Sequence, residues 1–206
     1  MSTYQTEEEQ VEAIKKWWKE NGKAAIGGIV LGLAVVGGGK GWIEYQRVQA
    51  ENASANYEGF AMAARSGDLE KAVQRGEALI NAYKDSTYAL FTALDLARLQ
   101  LEAGDKDKAR VRLQWVVDNA GDEAISKLAQ VRLARLMLDM NALDEAATLA
   151  ANPAEDSWQG EFLSIQAEVK LARGDREGAR KDFTKALEKG VSNPTLVNMK
   201  LQELGG

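Results

Sequence analysis

The alternation of apolar and polar positions divides the chain into a short charged lead, one apolar run and a long amphipathic remainder. From Ala24 to Gly39 no residue is charged or strongly polar, and after Lys40 the run resumes with Gly41, Trp42 and Ile43. Ala24–Gly39 alone falls short of the roughly 20 residues a helix needs to cross hydrocarbon. A lysine near a helix end, however, carries its amine to the interface, so Ala24 to Ile43 reads as a full span. Trp17 and Trp18 precede it, and Trp42 and Tyr45 follow it, where amphipathic rings favour the headgroup level. Trp18 to Trp42 spans about 36 Å as a helix, a suitable distance between two such belts. The seven glycines between Gly27 and Gly41 would weaken a buried soluble helix but are tolerated in membrane helices. The pattern predicts a transmembrane helix over residues 23–45.

In residues 1–22, Val11, Ile14, Trp17 and Trp18 lie near one face of a short helix that also carries Lys15, Lys16 and Lys19. This reads as an amphipathic helix at the membrane surface, ending near Asn21-Gly22; docking of a cytoplasmic partner is the alternative. Lys15, Lys16, Lys19 and Lys23 precede the span, and only Lys40 and Arg47 follow it closely. The excess of positive charge predicts a cytoplasmic N-terminus, which sends residues 46–206 across the membrane, into the periplasm of a Gram-negative cell. A cleaved signal peptide competes, since Gly37, Gly39 and Gly41 suit a small-residue cleavage site. The long lead and the acidic Glu7, Glu8 and Glu9 favour an uncleaved anchor. Ala24, Gly28 and Gly32 form a small-residue face on which another helix can pack closely, although any glycine-rich span produces such spacings by chance.

Beyond the span the chain repeats itself. Gly67-Asp68-Leu69-Glu70-Lys71-Ala72 aligns with Gly104-Asp105-Lys106-Asp107-Lys108-Ala109, Asn141-Ala142-Leu143-Asp144-Glu145-Ala146 and Gly174-Asp175-Arg176-Glu177-Gly178-Ala179. Ala97, Ala134 and Ala167 stand seven residues before the last three anchors, and Leu101, Leu138 and Leu171 three before them. Glycine or asparagine tolerates the left-handed conformation that stops one helix, and Asp68, Asp105 and Asp175 can cap the next. The alanines permit close packing of paired helices. Each unit is then a helix hairpin that buries its apolar face only by stacking. Anchors at 67, 104, 141 and 174 match the tetratricopeptide repeat, whose period is about 34 residues.

The expected fold is all-α: one N-terminal transmembrane helix followed by a tetratricopeptide-like helix-hairpin solenoid. Helices are expected near 21–66, 68–83, 87–103, 105–119, 121–140, 142–151, 155–173 and 175–189. Pro153 is expected to shorten the sixth, and Asn193-Pro194 to open a last helix that ends near 204 and covers the stack. Between Trp42 and Ser66 only Gly59 is a mild breaker, so the first hairpin arm is expected to continue the membrane helix.

Composition narrows the chemistry. With no Cys and no His among 206 residues, there is no thiolate, no disulfide and none of the commonest general base and metal ligand. No cofactor is called for, and an enzyme would have to be built from carboxylates, Lys and Tyr. The net charge of −5 argues against a nucleic-acid partner, which demands clustered Lys and Arg. In the repeats, Arg98 and Arg135 occupy equivalent positions six before their anchors, on the side expected to line the groove. They can meet acidic groups or a terminal carboxylate; the alternative is that both are solvated or held in ion pairs by Glu or Asp neighbours. Glu168 stands at the next equivalent site. Trp115 and Trp158 read as packing residues.

Gln10-Val-Glu-Ala-Ile-Lys-Lys-Trp-Trp-Lys-Glu-Asn-Gly-Lys23, leading into the glycine-rich span, resembles the YfgM-like family, the ancillary subunits of the SecYEG translocon. Arg132-Leu-Ala-Arg135, Gly174-Asp175 through Gly178-Ala-Arg180, and Met199-Lys200-Leu201 extend the resemblance over nearly the whole chain. It implies a non-enzymatic inner-membrane protein with a periplasmic repeat domain. Its implied partners are the SecYEG translocon and a membrane-anchored periplasmic chaperone of prolyl-isomerase type, with newly exported chains passed on to periplasmic chaperones. A second implied role is restraint of a stress-response regulator in the cytoplasm, with residues 1–23 as a tether. The family has no catalytic motif to transfer.

Overall fold

The computed structural model describes residues 7–151 and 157–205, with side chains from Glu9 onward. The fold is all-α: 85% of the described residues are helical, and they contain no strand. The helices are α1 (Glu7–Arg65), α2 (Leu69–Ala82), α3 (Thr87–Glu102), α4 (Lys106–Asn119), α5 (Glu123–Asp139), α6 (Leu143–Leu149), α7 (Gln159–Ala172), α8 (Arg176–Lys189) and α9 (Pro194–Glu203). Two compact units emerge, Met1–Asn52 and Ala53–Gly206.

The first unit contains most of α1, the one helix among the described residues long and apolar enough to cross a membrane. Its most apolar window has mean hydropathy 1.5 and is only 6% buried, so no core of the protein shelters it. This is a candidate transmembrane helix. Contrary to expectation, α1 does not end at Asn21-Gly22. The Asn21 amide nitrogen donates to the Trp17 carbonyl one turn back (3.2 Å). Gly22 is buried beneath the Trp18 indole, 3.3 Å from where a Cβ would stand. A pair that usually signals a turn here seats a ring on the helix surface.

In the second unit the left-handed stop recurs at every repeat. Gly67, Gly104, Asn141 and Gly174 have φ of 75°, 82°, 59° and 87°. After α3, the Asp105 N–H donates to Gln100 O (2.8 Å) and the Gly104 N–H to Leu101 O (2.9 Å), the paired bonds that satisfy a helix's last carbonyls. Ala142 to Met137 O (2.8 Å) and Asp175 to Lys170 O (2.9 Å) repeat the arrangement after α5 and α7. Asp68, Asp105 and Asp175 then accept from the N–H groups of Lys71, Lys108 and Gly178. α6 begins at Leu143, after Ala142, without a side-chain cap.

The hairpins α3–α4, α5–α6 and α7–α8 stack through α2–α3, α4–α5 and α6–α7 contacts. Ala97, Ala134 and Ala167, together with Ala72, Ala109, Ala146 and Ala179, are at most 1% exposed. Gly59 does not break α1: its carbonyl accepts from Arg75 Nη1 (3.0 Å), tying α1 to α2. Trp115 and Trp158 pack against the core. Asn193 caps α9 through Leu196 N–H, with Pro194 opening the helix. α9 lies on α8, burying Val197 beside Phe183.

α6 stops at Leu149; Pro153 itself lies outside the described residues. The stop is also built from its neighbours. Gln130 of α5 donates to Leu149 O (2.8 Å), and Gln166 of α7 donates to Ala150 O (2.6 Å). In the other two of the three stacked hairpins the equivalent positions are apolar: Ala93 and Leu163 for Gln130, Leu96 and Leu133 for Gln166. With the second helix shortened, α5 also packs directly on α7. Leaving either partly buried carbonyl without its donor costs about 1–3 kcal/mol, so Gln130→Leu and Gln166→Leu should each lower the Tm of the full chain in detergent micelles.

A second tight point is Gly160 in α7, where an added Cβ would stand 1.8 Å from the Gly190 carbonyl oxygen. Backbone on the receiving side has no rotamer to yield. Gly160→Ala should therefore destabilise by about 3 kcal/mol, whereas Gly121→Ala, with open space around the new methyl, should stay within about 0.5 kcal/mol of wild type; thermal unfolding compares the two.

Candidate functional site

α3 and α5, the first helices of consecutive hairpins, flank a groove of about 460 Å³. Its apolar surface comes from Leu94, Ala97 and Leu101 of α3, Leu113 of α4 and Leu136 of α5. Arg98, Arg132, Arg135 and Asp139 supply its charges. The two arginines singled out from repeat register are thus brought to one cavity. Arg98 and Arg135 share a register position, while Arg132 lies one turn before Arg135 on α5.

The charges differ in how they are held. Arg98 Nη1 contacts Glu102 Oε1 at 2.7 Å along the same helix. Asp139 pairs with Lys106 at 2.7 Å. Arg135 pairs with Glu161, the first-turn carboxylate of α7, whose side chain is 5% exposed. Glu161 also accepts from the Ser192 backbone N–H (2.5 Å) and hydroxyl. Burial pushes the Glu161 carboxyl up, but the Ser192 hydrogen bonds and the Arg135 guanidinium outweigh it and hold the group below its ordinary range. One buried anion thus joins the groove wall to the segment between α8 and α9.

Glu161 was not singled out from sequence, although a signal existed. It stands thirteen residues before Gly174, where the two preceding hairpins carry Phe91 and Leu128. A carboxylate buried where those hairpins carry an aromatic or aliphatic side chain requires partners. Glu168, the register equivalent of Arg98 and Arg135, pairs with Lys200 of α9 at 3.1 Å, so the basic surface ends where the last helix covers the stack.

The other site predicted from sequence lies in the first unit. Ala24, Gly28 and Gly32 follow one another at helical spacing on α1 and are exposed, and a Cβ at Gly28 or Gly32 would meet nothing within 4 Å. Among the described residues no cluster of carboxylates has the make-up of a metal site.

The chain's likeness to known proteins covers both units. A family model described as a tetratricopeptide repeat-like domain matches residues 15–206. A protein of Haemophilus influenzae is 28% identical over 96% of this chain and 97% of its own length. One of Escherichia coli is 28% identical over 97% and 95%, and one of Neisseria gonorrhoeae 27% over 99% and 100%. Each of the three carries the name ancillary SecYEG translocon subunit.

Because the folded Glu161 carboxyl lies below its unfolded value, its contribution is complete above about pH 4.3 and is lost as pH falls through the folded pKa. Glu161→Gln should cost about 2 kcal/mol at pH 7. The gap from wild type should narrow on acidification below pH 4, as measured by thermal unfolding across pH.

Proposed function

Since the chain belongs to the tetratricopeptide repeat-like family, we propose that it is a non-enzymatic, membrane-anchored adaptor at the Sec translocon. Its repeats bind a chaperone or help pass newly exported proteins to periplasmic chaperones. The observation that carries this reading is the union, in one chain, of a candidate transmembrane helix and a helical-repeat unit with an open groove. Full-length likeness to translocon subunits, through the apolar helix and the repeats alike, supports a place at the inner membrane. Stacked hairpins bind other proteins by surface, without a reacting group.

In this reading α1 crosses the inner membrane once, with Lys15, Lys16, Lys19 and Lys23 retained in the cytoplasm and Ala53–Gly206 in the periplasm. The partner on the far side is a membrane-anchored chaperone of prolyl-isomerase type. The exposed Ala24, Gly28 and Gly32 are the face on which a translocon or chaperone helix packs.

The chain's lack of cysteine makes its orientation directly measurable. Single-cysteine variants Gln10→Cys and Thr184→Cys, probed with an impermeant maleimide on spheroplasts, should label at position 184 and not at 10, with the reverse on inverted vesicles. The opposite pattern would overturn the orientation.

Affinity purification from membranes solubilised in mild detergent should recover translocon subunits and a periplasmic chaperone. Gly28→Leu combined with Gly32→Leu should reduce that recovery several-fold. Recovery of neither, with the translocon intact, would sink the adaptor reading in favour of a tether acting on a cytoplasmic regulator through residues 1–23.

A further inference from the structure

The geometry of the α3–α5 groove points to a specific class of occupant: we propose that it takes an acidic peptide segment carrying a large apolar side chain, with Arg132 receiving the peptide's carboxylate. This rests on the reading of the repeat unit as the protein-binding part of the chain, and it names the chemistry that part recognises.

The argument starts from which charge at the groove lacks a counter-charge. Arg98 is held by Glu102, Arg135 by Glu161, and Asp139 by Lys106. Those three positions are internally compensated, and Glu161 is further fixed by Ser192. Arg132 is exposed and, among the described residues, makes no ion pair. The groove therefore presents an uncompensated guanidinium on a protein of net charge −5. Like charges brought to such a site are repelled and carboxylates are drawn in. A guanidinium also offers a planar pair of donors that matches a carboxylate.

The apolar half of the requirement comes from the groove surface. Leu94, Leu101, Leu113 and Leu136 line a cavity of about 460 Å³, room for a large apolar side chain and its flanking backbone. The apolar stripe continues beyond it. Phe91 lies one turn before Leu94 on α3 and is 42% exposed, and Leu101 is 38% exposed. Phe91, Leu94, Arg98 and Leu101 recur at helical spacing on one face, where Phe91 and Leu101 give an incoming segment apolar surface beside a positive rim and Leu94 is buried between them. A purely acidic ligand would leave that surface in water, and a purely apolar one would leave Arg132 facing its mouth unused. A segment with both satisfies both.

The test uses the full chain in phosphatidylcholine nanodiscs, with fluorescence anisotropy of labelled peptides. The probe is Gly-Ser-Asp-Glu-Phe-Asp-Glu-Ser-Gly; one control replaces its Phe by Ala, and another replaces its four acids by Lys. Saturable binding of the probe is expected, weakened about tenfold by loss of the Phe and about tenfold by Arg132→Ala. Arg132→Glu should abolish binding of the acidic probe and admit the lysine peptide, which also shows that this variant is folded. Equal binding of acidic and lysine peptides to the wild type, no saturable binding of the acidic probe, or an affinity untouched by both Arg132 variants would each overturn the proposal. Co-purification of the translocon with the same variants separates the two claims. Retained translocon with no peptide binding removes the groove chemistry alone, and lost translocon from the wild type removes the adaptor reading whatever the peptides do.

Discussion

The repeat unit depends on one backbone event, the left-handed residue that ends the first helix of each hairpin. That residue folds the chain back in a constant way, and with the paired bonds from Asp105, Ala142 and Asp175 it returns the second helix at a constant register. Only because the register holds do Ala97, Ala134 and Ala167 meet the alanines of the returning helices without exposure. Asn141 shows what is being conserved physically. Its φ of 59° places a residue with a Cβ where the other repeats use glycine, and asparagine is among the few side chains that tolerate this conformation. The aspartate cap is lost at the same repeat and the turn still forms. The left-handed stop is therefore the essential element, and the cap an addition to it.

Where the stack departs from regularity, polar side chains replace apolar ones at matching register. The short α6 leaves carbonyls at Leu149 and Ala150, and Gln130 and Gln166 stand where the other two stacked hairpins have Ala93 and Leu163, and Leu96 and Leu133. Direct α5–α7 packing follows, and it brings Glu161 of α7 within reach of Arg135 of α5. The same irregularity that shortens one helix thus fixes one wall of the groove. Between α3 and α5 the full-length α4 intervenes, and there the groove stays open.

Much of this was legible in sequence, for identifiable reasons. The turns could be read because Gly-Asp pairs act locally, and every helix after α1 lies within four residues of its expected bounds. Arg98 and Arg135 could be placed at one cavity because register converts sequence spacing into a shared face. Three features could not be read in that way. Asn21-Gly22 looked like a stop, but a stop signal is only a local preference, and Trp18 needed a place without a Cβ on the following turn. Glu161 and Ser192 are 31 residues apart and lie on different elements, so no local pattern reveals that they bond. Arg132 lay inside a motif noted for its resemblance, yet its standing depends on which neighbouring charges already have partners.

That distinction decides how the groove discriminates. A guanidinium already engaged by a carboxylate must break that contact before it can accept a ligand, and the cost cancels much of the gain. Arg135 is further restrained, since Glu161 is buried and would be left without a counter-charge if its arginine moved away. Arg98 is tied only by an exposed contact of the kind worth at most about 1 kcal/mol, and it can turn toward a second carboxylate at little cost. Selectivity therefore rests on Arg132 first and Arg98 second, while Arg135 shapes the wall. Screening sharpens the choice: beyond a Debye length of about 8 Å the pull of the arginines is largely lost, so only a segment that reaches the groove itself gains from them.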